Sequence, residues 1–411
     1  MKDLLRDSRI RRLLIANTTG SIGSGITIFA VPWLMVHEVN GSQAYRWVTI
    51  FTTVVLFLMM PHYGAWLDRH SRKAMLLGSE AFGFCATLAM AVTGLILGHF
   101  GMWQLMTIYF CGMLYFTLSY PARFAFIQQI FDRSQYQSLM GLIEVQGQTA
   151  QLLAGAAGAM LVGRIPLWAI LLIDASSYAV SYFIQSTIPY EATHVKADTG
   201  APRPGVLDSI AEAWAWLRAQ PRFGVFLTAS LIPFIIVMVS NYLFPIYVSQ
   251  TLKLGATYYG TGEVMFALGA MIAGYFLPRF LAKHSAGGTI PTTMIIFLIG
   301  LAIIVFAHHA VAYLTAGVLL GFGNAGCRVA RSSLMLETIP NQVMGRVGIF
   351  YAVLDRALRT LLVSGMVVVD VYGPPAGFGI LLSLLAIALF AVFRTLGSVP
   401  HEARAVTPAP A

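Results

Sequence analysis

Charge is scarce in this chain. Lys, Arg, Asp and Glu make up 10% of its 411 residues, against 57% hydrophobic residues. Soluble domains carry about 25% charged residues, so a water-soluble globule is excluded. Cysteine is scarcer still: Cys85, Cys111 and Cys327 are the full set. All three fall inside apolar runs. That excludes a disulfide framework or a cysteine metal site and leaves small polarizable packing residues. No P-loop, metalloprotease helix signature or nucleotide-binding glycine fingerprint occurs. With no nucleophile–base pair and no metal cluster, nothing points to an enzyme, a cofactor or a bound metal. The histidines lie near the ends of apolar runs, in loops or in the tails, and none has ligand spacing.

Long apolar runs are what the chain has instead. A membrane helix needs roughly 20 such residues. Stretches of that kind lie at 12–37, 46–65, 74–98, 102–131, 138–163, 166–188, 222–250, 257–281, 289–307, 310–337, 346–370 and 375–396. Twelve helices suit two six-helix bundles, so the expected fold is an all-α integral membrane protein. The opening MKDLLRDSRIRR leads into an apolar run too long for the core of a secretory signal, without a small-residue cleavage site, and reads as a retained first helix.

Basic residues fall unevenly between these stretches. One side of the membrane receives Arg9, Arg12, Arg69, Arg72, Lys73, Arg133, Arg218, Arg279, Arg346, Arg394 and others; the opposite side receives only Arg46, Arg164 and Lys253. Positive residues stay inside, which places both termini in the cytoplasm. The net charge of +9 is thus an orientation signal. Its scatter over short loops argues against a nucleic-acid partner.

The chain divides into a first bundle at 1–188, a linker at 189–221, a second bundle at 222–398 and a tail at 399–411. A weak repeat relates the bundles: Pro32 with Pro245 and Tyr45 with Tyr258 share one offset, and His70–Ser71 pairs with His284–Ser285 one residue further on. The linker begins with a Pro/Gly/Thr-rich stretch. From Val206 to Gln220, Leu207, Ile210, Trp214 and Leu217 recur at helical spacing, which predicts a short amphipathic helix on the cytoplasmic surface. A plain tether is the alternative.

Charge in hydrocarbon is costly and usually faces a bundle interior or a watery cavity. Glu144, Gln148 and Gln151 share one helix face on the fifth stretch. On the eleventh, Asp355 and Arg359 share a face with Arg356 beside them, and the repeat lays Gln148 over Arg356 and Gln151 over Arg359. Rising 1.5 Å per residue, Arg359 falls roughly 20 Å from the cytoplasmic end. Two readings remain open: a substrate cavity lined from both halves, or an intrahelical Asp355–Arg359 pair that neutralises itself. Arg123, Arg328 and Arg331 read either as an anion-attracting vestibule or as snorkelling and gate ion pairs. Glu144, Glu263 and Asp355 are candidate proton carriers. On the first stretch, Asn17, Ser21 and Ser24 form a polar stripe beside Gly20, Gly23 and Gly25. The glycines fit close helix packing, and Asn17 is a candidate solute contact. Phe29, Trp33, Tyr120 and Tyr351 are aromatic candidates by helix and depth.

Between the second and third stretches lies GAWLDRHSRK, residues 64–73. It resembles the loop signature of the major facilitator superfamily, with Gly64, Asp68, Arg69, Arg72 and Lys73 matching, Trp66 in place of leucine and Ser71 in place of the second glycine. Three further stretches are similar to the enterobactin-exporter-like branch: Tyr120–Gly158, IDASSYAVS from Ile173 to Ser181, and ETIPNQVMGRVGIF from Glu337 to Phe350. The antiporter signature of the fifth helix is incomplete, since Ala156 stands where proline is expected.

The resemblance implies the major facilitator fold: twelve transmembrane helices in two pseudo-symmetric bundles, embedded in a bacterial inner membrane. It also implies that Asp68 meets the start of helix eleven at Gly345 and Arg346, where the helix dipole would favour a carboxylate. The expected activity is secondary transport by alternating access, as a proton-coupled exporter of a small organic solute, siderophore or drug-like and anionic given the intramembrane arginines. The expected partners are solute, proton and lipid bilayer, with the protein a monomer. An importer or lipid-handling facilitator on the same scaffold is the alternative; a receptor or scaffold without flux is a third reading.

Overall fold

A computed structural model describes residues 6–131, 133–190, 206–281 and 286–399. Each of the twelve expected stretches is helical. In chain order the helices are α1 (Ser8–His37), α2 (Gly41–Arg69), α3 (Arg72–Leu97), α4 (Met102–Ile130), α5 (Arg133–Leu161), α6 (Leu167–Ser186), α7 (Val206–Ala219), α8 (Pro221–Ala229), α9 (Ile232–Ile246), α10 (Ala256–Leu281), α11 (Ala286–Phe306), α12 (Ala310–Thr338), α13 (Asn341–Gly365), the short α14 (Val368–Tyr372) and α15 (Pro374–Thr395). Among the described residues nine segments are long and apolar enough to cross a membrane, and none is a β-strand. With no water in hydrocarbon to bond the backbone, helices that satisfy their own N–H and C=O groups are the expected solution.

The helices group into two units. The first holds residues 1–202 together with 255–264, so the opening turns of α10 belong to it. The second holds 203–254 and 265–411.

In the first unit α1 packs on α4, α5 and α6, and α3 on α4 and α6. Small residues permit this closeness. A Cβ at Gly23 would collide with the Ser177 hydroxyl on α6, and one at Gly25 would sit 2.6 Å from Ala154 of α5. Gly20 is looser, with Ser181 at 3.6 Å. Asp7 caps α1: its carboxylate accepts from the Arg9 backbone N–H at 2.8 Å and from the Arg9 guanidinium at 2.7 Å. The Arg9 hydrogen bonds hold the Asp7 carboxyl below the usual carboxylate range. An apolar cluster of Ile10, Leu13, Leu67, Leu76, Phe126 and Ile127 fills the end of the unit that carries residues 64–73.

In the second unit α11 packs on α12 and α15, and α9 on α12, α13 and α15. Cβ atoms at Gly269 and Gly321 would each strike the facing backbone, at Val318 and Phe266 respectively, so α10 and α12 nearly touch. The span from Pro221 to Thr251 is interrupted: α8 stops at Ala229, α9 starts at Ile232 with Pro233 in its first turn, and a π-helical turn, Tyr247–Thr251, follows Pro245. Proline cannot donate to the carbonyl four residues earlier, so this break leaves carbonyls for other groups.

Forcing a methyl group into the Gly23 contact displaces Ser177, at a cost of about 1–3 kcal/mol for overpacking. Purified Gly23→Ala should therefore melt below wild type in detergent, whereas Gly20→Ala should melt within error of it. Equal melting of the two variants would contradict the close approach of α1 and α6.

Candidate functional site

The charged stretch between α2 and α3 works through helix ends. Arg72 donates from Nη1 to the Ala125 carbonyl at 2.9 Å, near the end of α4. Lys73 donates from Nζ to the Ser186 and Ile188 carbonyls at 2.6 and 2.7 Å, at the end of α6. Helix C-termini expose unpaired carbonyls and a negative dipole end, so two adjacent cations here fasten two helices. The Arg72 backbone N–H also bonds the Tyr190 hydroxyl at 3.0 Å. The side chains of Asp68, Arg69 and Glu144 and the surroundings of Gly64 and Gly345 lie outside what is described. Arg346 is described and forms an ion pair with Glu212 of α7.

Deeper in the first unit, Glu80 of α3 is fully buried. Its Oε1 accepts from the Tyr115 hydroxyl at 3.2 Å and from Gln185 Nε2 at 3.1 Å. Gln185 also donates to Ser181 Oγ at 2.9 Å. Arg123 lies close enough for its charge to act on Glu80. The arginine legible in the sequence therefore has a counter-charge that the sequence reading did not identify. Asp174 of α6 was likewise not singled out; it is 1% exposed and has Thr27 and Ser177 as polar neighbours. Asp174 shares a helix face with Ser177, Ser181 and Gln185, a polar stripe that the sequence reading did not single out. The available signal was simpler: each is the lone acidic residue of an otherwise apolar span.

Asn17 is buried, and neither its amide oxygen nor its nitrogen has a hydrogen-bond partner. Gln151 is exposed and Gln148 half-buried. Gln151 hydrogen-bonds the carboxyl of Glu263. Phe29 stacks on Tyr259 with ring centres 4.5 Å apart, and Trp33 on the same ring at 5.6 Å. Tyr120 is exposed.

In the second unit the predicted residues of α12 and α13 form two centres. Asp355 accepts two bonds from Arg359 Nη2, at 3.0 and 2.7 Å, and Arg356 Nε lies 3.9 Å from the same carboxylate. The intrahelical pair is therefore real. One carboxylate nevertheless faces two guanidinium groups, so it offsets only one of the two charges. Arg331 Nε donates to the Leu227 carbonyl at 3.2 Å, and Cys327 Sγ donates to the Ser230 carbonyl at 3.3 Å. Both acceptors lie at the break between α8 and α9. The Arg331 guanidinium covers the Tyr351 ring at 4.6 Å. Its Nη2 and the Nε of Arg359 are buried without a hydrogen-bond partner. A guanidinium has five donors in a fixed fork, and here part of that capacity is unspent.

Three comparisons bear on this arrangement. The uncharacterized MFS-type transporter YfiS of Bacillus subtilis (strain 168) is 22% identical over 222 residues, 54% of this chain and 52% of that protein. The aligned part of the chain spans about half the length of that relative. Among solved structures, a bacterial homologue of the iron transporter ferroportin superposes with TM-score 0.70 at 16% identity, covering 96% of this chain and 99% of its own. The nucleoside transporter NupG gives 0.68 at 12%, with 95% and 99% covered. A bacterial homologue of the human lysosomal transporter Spinster gives 0.67 at 11%, with 98% and 100% covered. At these identities the likeness is one of fold. The family model for the Major Facilitator Superfamily matches residues 13–361. Matched over most of its length, and built of apolar helices, the chain belongs to the Major Facilitator Superfamily of multi-pass membrane transporters.

Proposed function

We propose that the protein exports a small organic anion across the inner membrane of a bacterium in exchange for protons, as a monomer with both termini in the cytoplasm and with its two bundles giving alternating access. The observation that carries this reading is Arg331: a half-buried side chain set over the Tyr351 ring, whose Nη2 is buried without a partner. Arg359 adds a second unspent donor, and Arg356 a cation that Asp355 does not fully offset. Buried cations with free donors favour a carboxylate or a similar oxyanion, which guanidinium binds bidentately. A siderophore-like or drug-like solute of the enterobactin-exporter-like branch fits that chemistry. Asn17, Gln148 and Gln151 would supply neutral polar contacts. Glu144, Glu263 and Asp355 are the carboxyl groups through which solute and proton would compete. Import, or the handling of a lipid anion, is the second reading, since the same arginines would attract a solute from either side.

A thermal-shift screen tests the sign of the ligand. Citrate and 2,3-dihydroxybenzoate should raise the melting temperature of the purified protein, and the cation ethidium should not. Losing one charged hydrogen bond costs about 1.5–3 kcal/mol, so Arg331→Gln should weaken anion binding by about tenfold or more. A shift produced only by the cation would overturn the anionic reading.

Direction and coupling are tested in proteoliposomes with the strongest anion of that screen, radiolabelled. Exchange predicts faster solute movement when the acidic compartment lies opposite the solute. Acceleration by acid on the same side as the solute would establish the importer instead. Glu263→Gln, Asp355→Asn or Glu144→Gln should abolish the dependence on the gradient, and its persistence in all three would remove these groups from the coupling step.

A further inference from the structure

A charge count over the first unit singles out one group. Away from their ends, α1, α3, α4 and α6 carry three carboxyl or basic side chains, Glu80, Arg123 and Asp174; the rest of the unit adds the buried Arg46 of α2, Glu144 of α5 and Glu263 of α10. Arg123 acts on Glu80. Asp174 is then left over, 1% exposed, with no basic residue among the groups that act on it. A buried carboxylate without a counter-charge costs several kcal/mol or more. Something must bring Asp174 one positive charge.

The surroundings show where it would sit. Asp174 lines a cavity of about 20 Å³, together with Ser24, Thr27, Thr87, Tyr109 and Tyr178, and that volume holds about one water molecule. Asp174 Oδ1 and Thr27 Oγ1 are both buried without a hydrogen bond of normal geometry. Ile28 also lines the cavity. Pro32, inside α1, has no N–H for the carbonyl of Ile28, so one more acceptor at the cavity lacks its helical partner. Beyond Asp174 a polar path continues through the unit. The Tyr178 ring lies against that of Tyr115, with centres 4.6 Å apart, and the Tyr115 hydroxyl reaches Glu80. The titratable groups around Asp174 are thus Glu80 from α3, Tyr109 and Tyr115 from α4, and Tyr178 on its own helix. From α1 come only the hydroxyls of Ser24 and Thr27.

We propose that Asp174 is a proton-binding site inside the first unit, served by the single-water cavity between α1, α4 and α6, and that it holds the coupling proton. A proton fits because it needs one oxygen and no more room than the one-water cavity supplies. This inference rests on the proton-coupled reading above but moves the proton away from the solute-facing carboxyls. The proton would arrive through the cavity as hydronium, leave its charge on the Asp174 carboxylate as an O–H bond, and depart by the reverse step.

Infrared difference titration of the full-length protein in lipid reads this directly. The wild type should show a protonated-carboxyl band that bleaches as pH rises, absent in Asp174→Asn and retained in Glu80→Gln. If Asp174→Asn does not assemble, Asp174→Glu should move the band rather than remove it. A band unaffected by changes at residue 174 would overturn the proposal. So would a wild-type band abolished by millimolar sodium chloride but not by potassium chloride, which would make the site a sodium site. The two readings fail separately. Proton-driven flux that survives Asp174→Asn but not Glu263→Gln leaves exchange standing and removes Asp174 from it. Loss of all proton-driven flux in the wild type, with the band intact, does the reverse.

Discussion

A charge that leaves water must find its partner inside the protein, and each helical unit meets part of that demand within itself. In hydrocarbon an unpaired ion or polar group costs several kcal/mol, more than any one side-chain contact returns. In the first unit Tyr115 and Gln185 donate to the Glu80 carboxylate, and the charge of Arg123 lies near enough to act on it. The second sets Asp355 against Arg359 one helical turn away. At the helix ends Arg72 and Lys73 lie against carbonyls of α4 and α6. The Glu80 cluster and the Arg72 and Lys73 contacts join α3 to α4 and α6, so in the first unit burial of polar groups and assembly of the helices go together.

The same constraint explains why the irregular backbone sits where it does. The break between α8 and α9 would expose carbonyls to lipid if it faced outward. Instead the Leu227 and Ser230 carbonyls receive Arg331 and Cys327 from α12. One Arg331 nitrogen bonds the interrupted helix and holds the guanidinium in place, while Nη2 has no hydrogen-bond partner. Cys327 is accordingly more than the passive packing residue that its apolar run implies.

What could be read from the sequence followed from period and length. The helices were legible because membrane spans are long and apolar, and the Asp355–Arg359 pair because residues four apart share a helix face. The small-residue face of α1 was legible too, since Gly20, Gly23 and Gly25 cluster there. The partners of Arg123 and the isolation of Asp174 were not, because both depend on contacts between α3, α4 and α6, which are far apart in the chain. Asp174 entered only within a family-like stretch, IDASSYAVS, and a motif says nothing of whether a counter-charge faces it. Arg72 and Lys73 looked like an orientation signal and part of a loop signature. Their carbonyl partners at Ala125, Ser186 and Ile188 could be known only once α3 was seen beside the ends of α4 and α6.

The linker shows how an amphipathic pattern acquires a meaning only through its neighbour. Residues 206–219 are helical, as the spacing of Leu207, Ile210, Trp214 and Leu217 predicts, and α7 packs against α13 within the second unit. Trp214 meets Phe350 with ring centres 6.0 Å apart, and Glu212 pairs with Arg346. Both partners of that pair are more than a third exposed, and exposed pairs contribute about 0–1 kcal/mol. The ion pair alone therefore cannot hold the helix down. Burial of Ala213 and Leu217 and the aromatic contact must supply most of the attachment. Since α13 also carries Tyr351, Asp355 and Arg359, the helix that closes the linker leans on the same element that presents these residues.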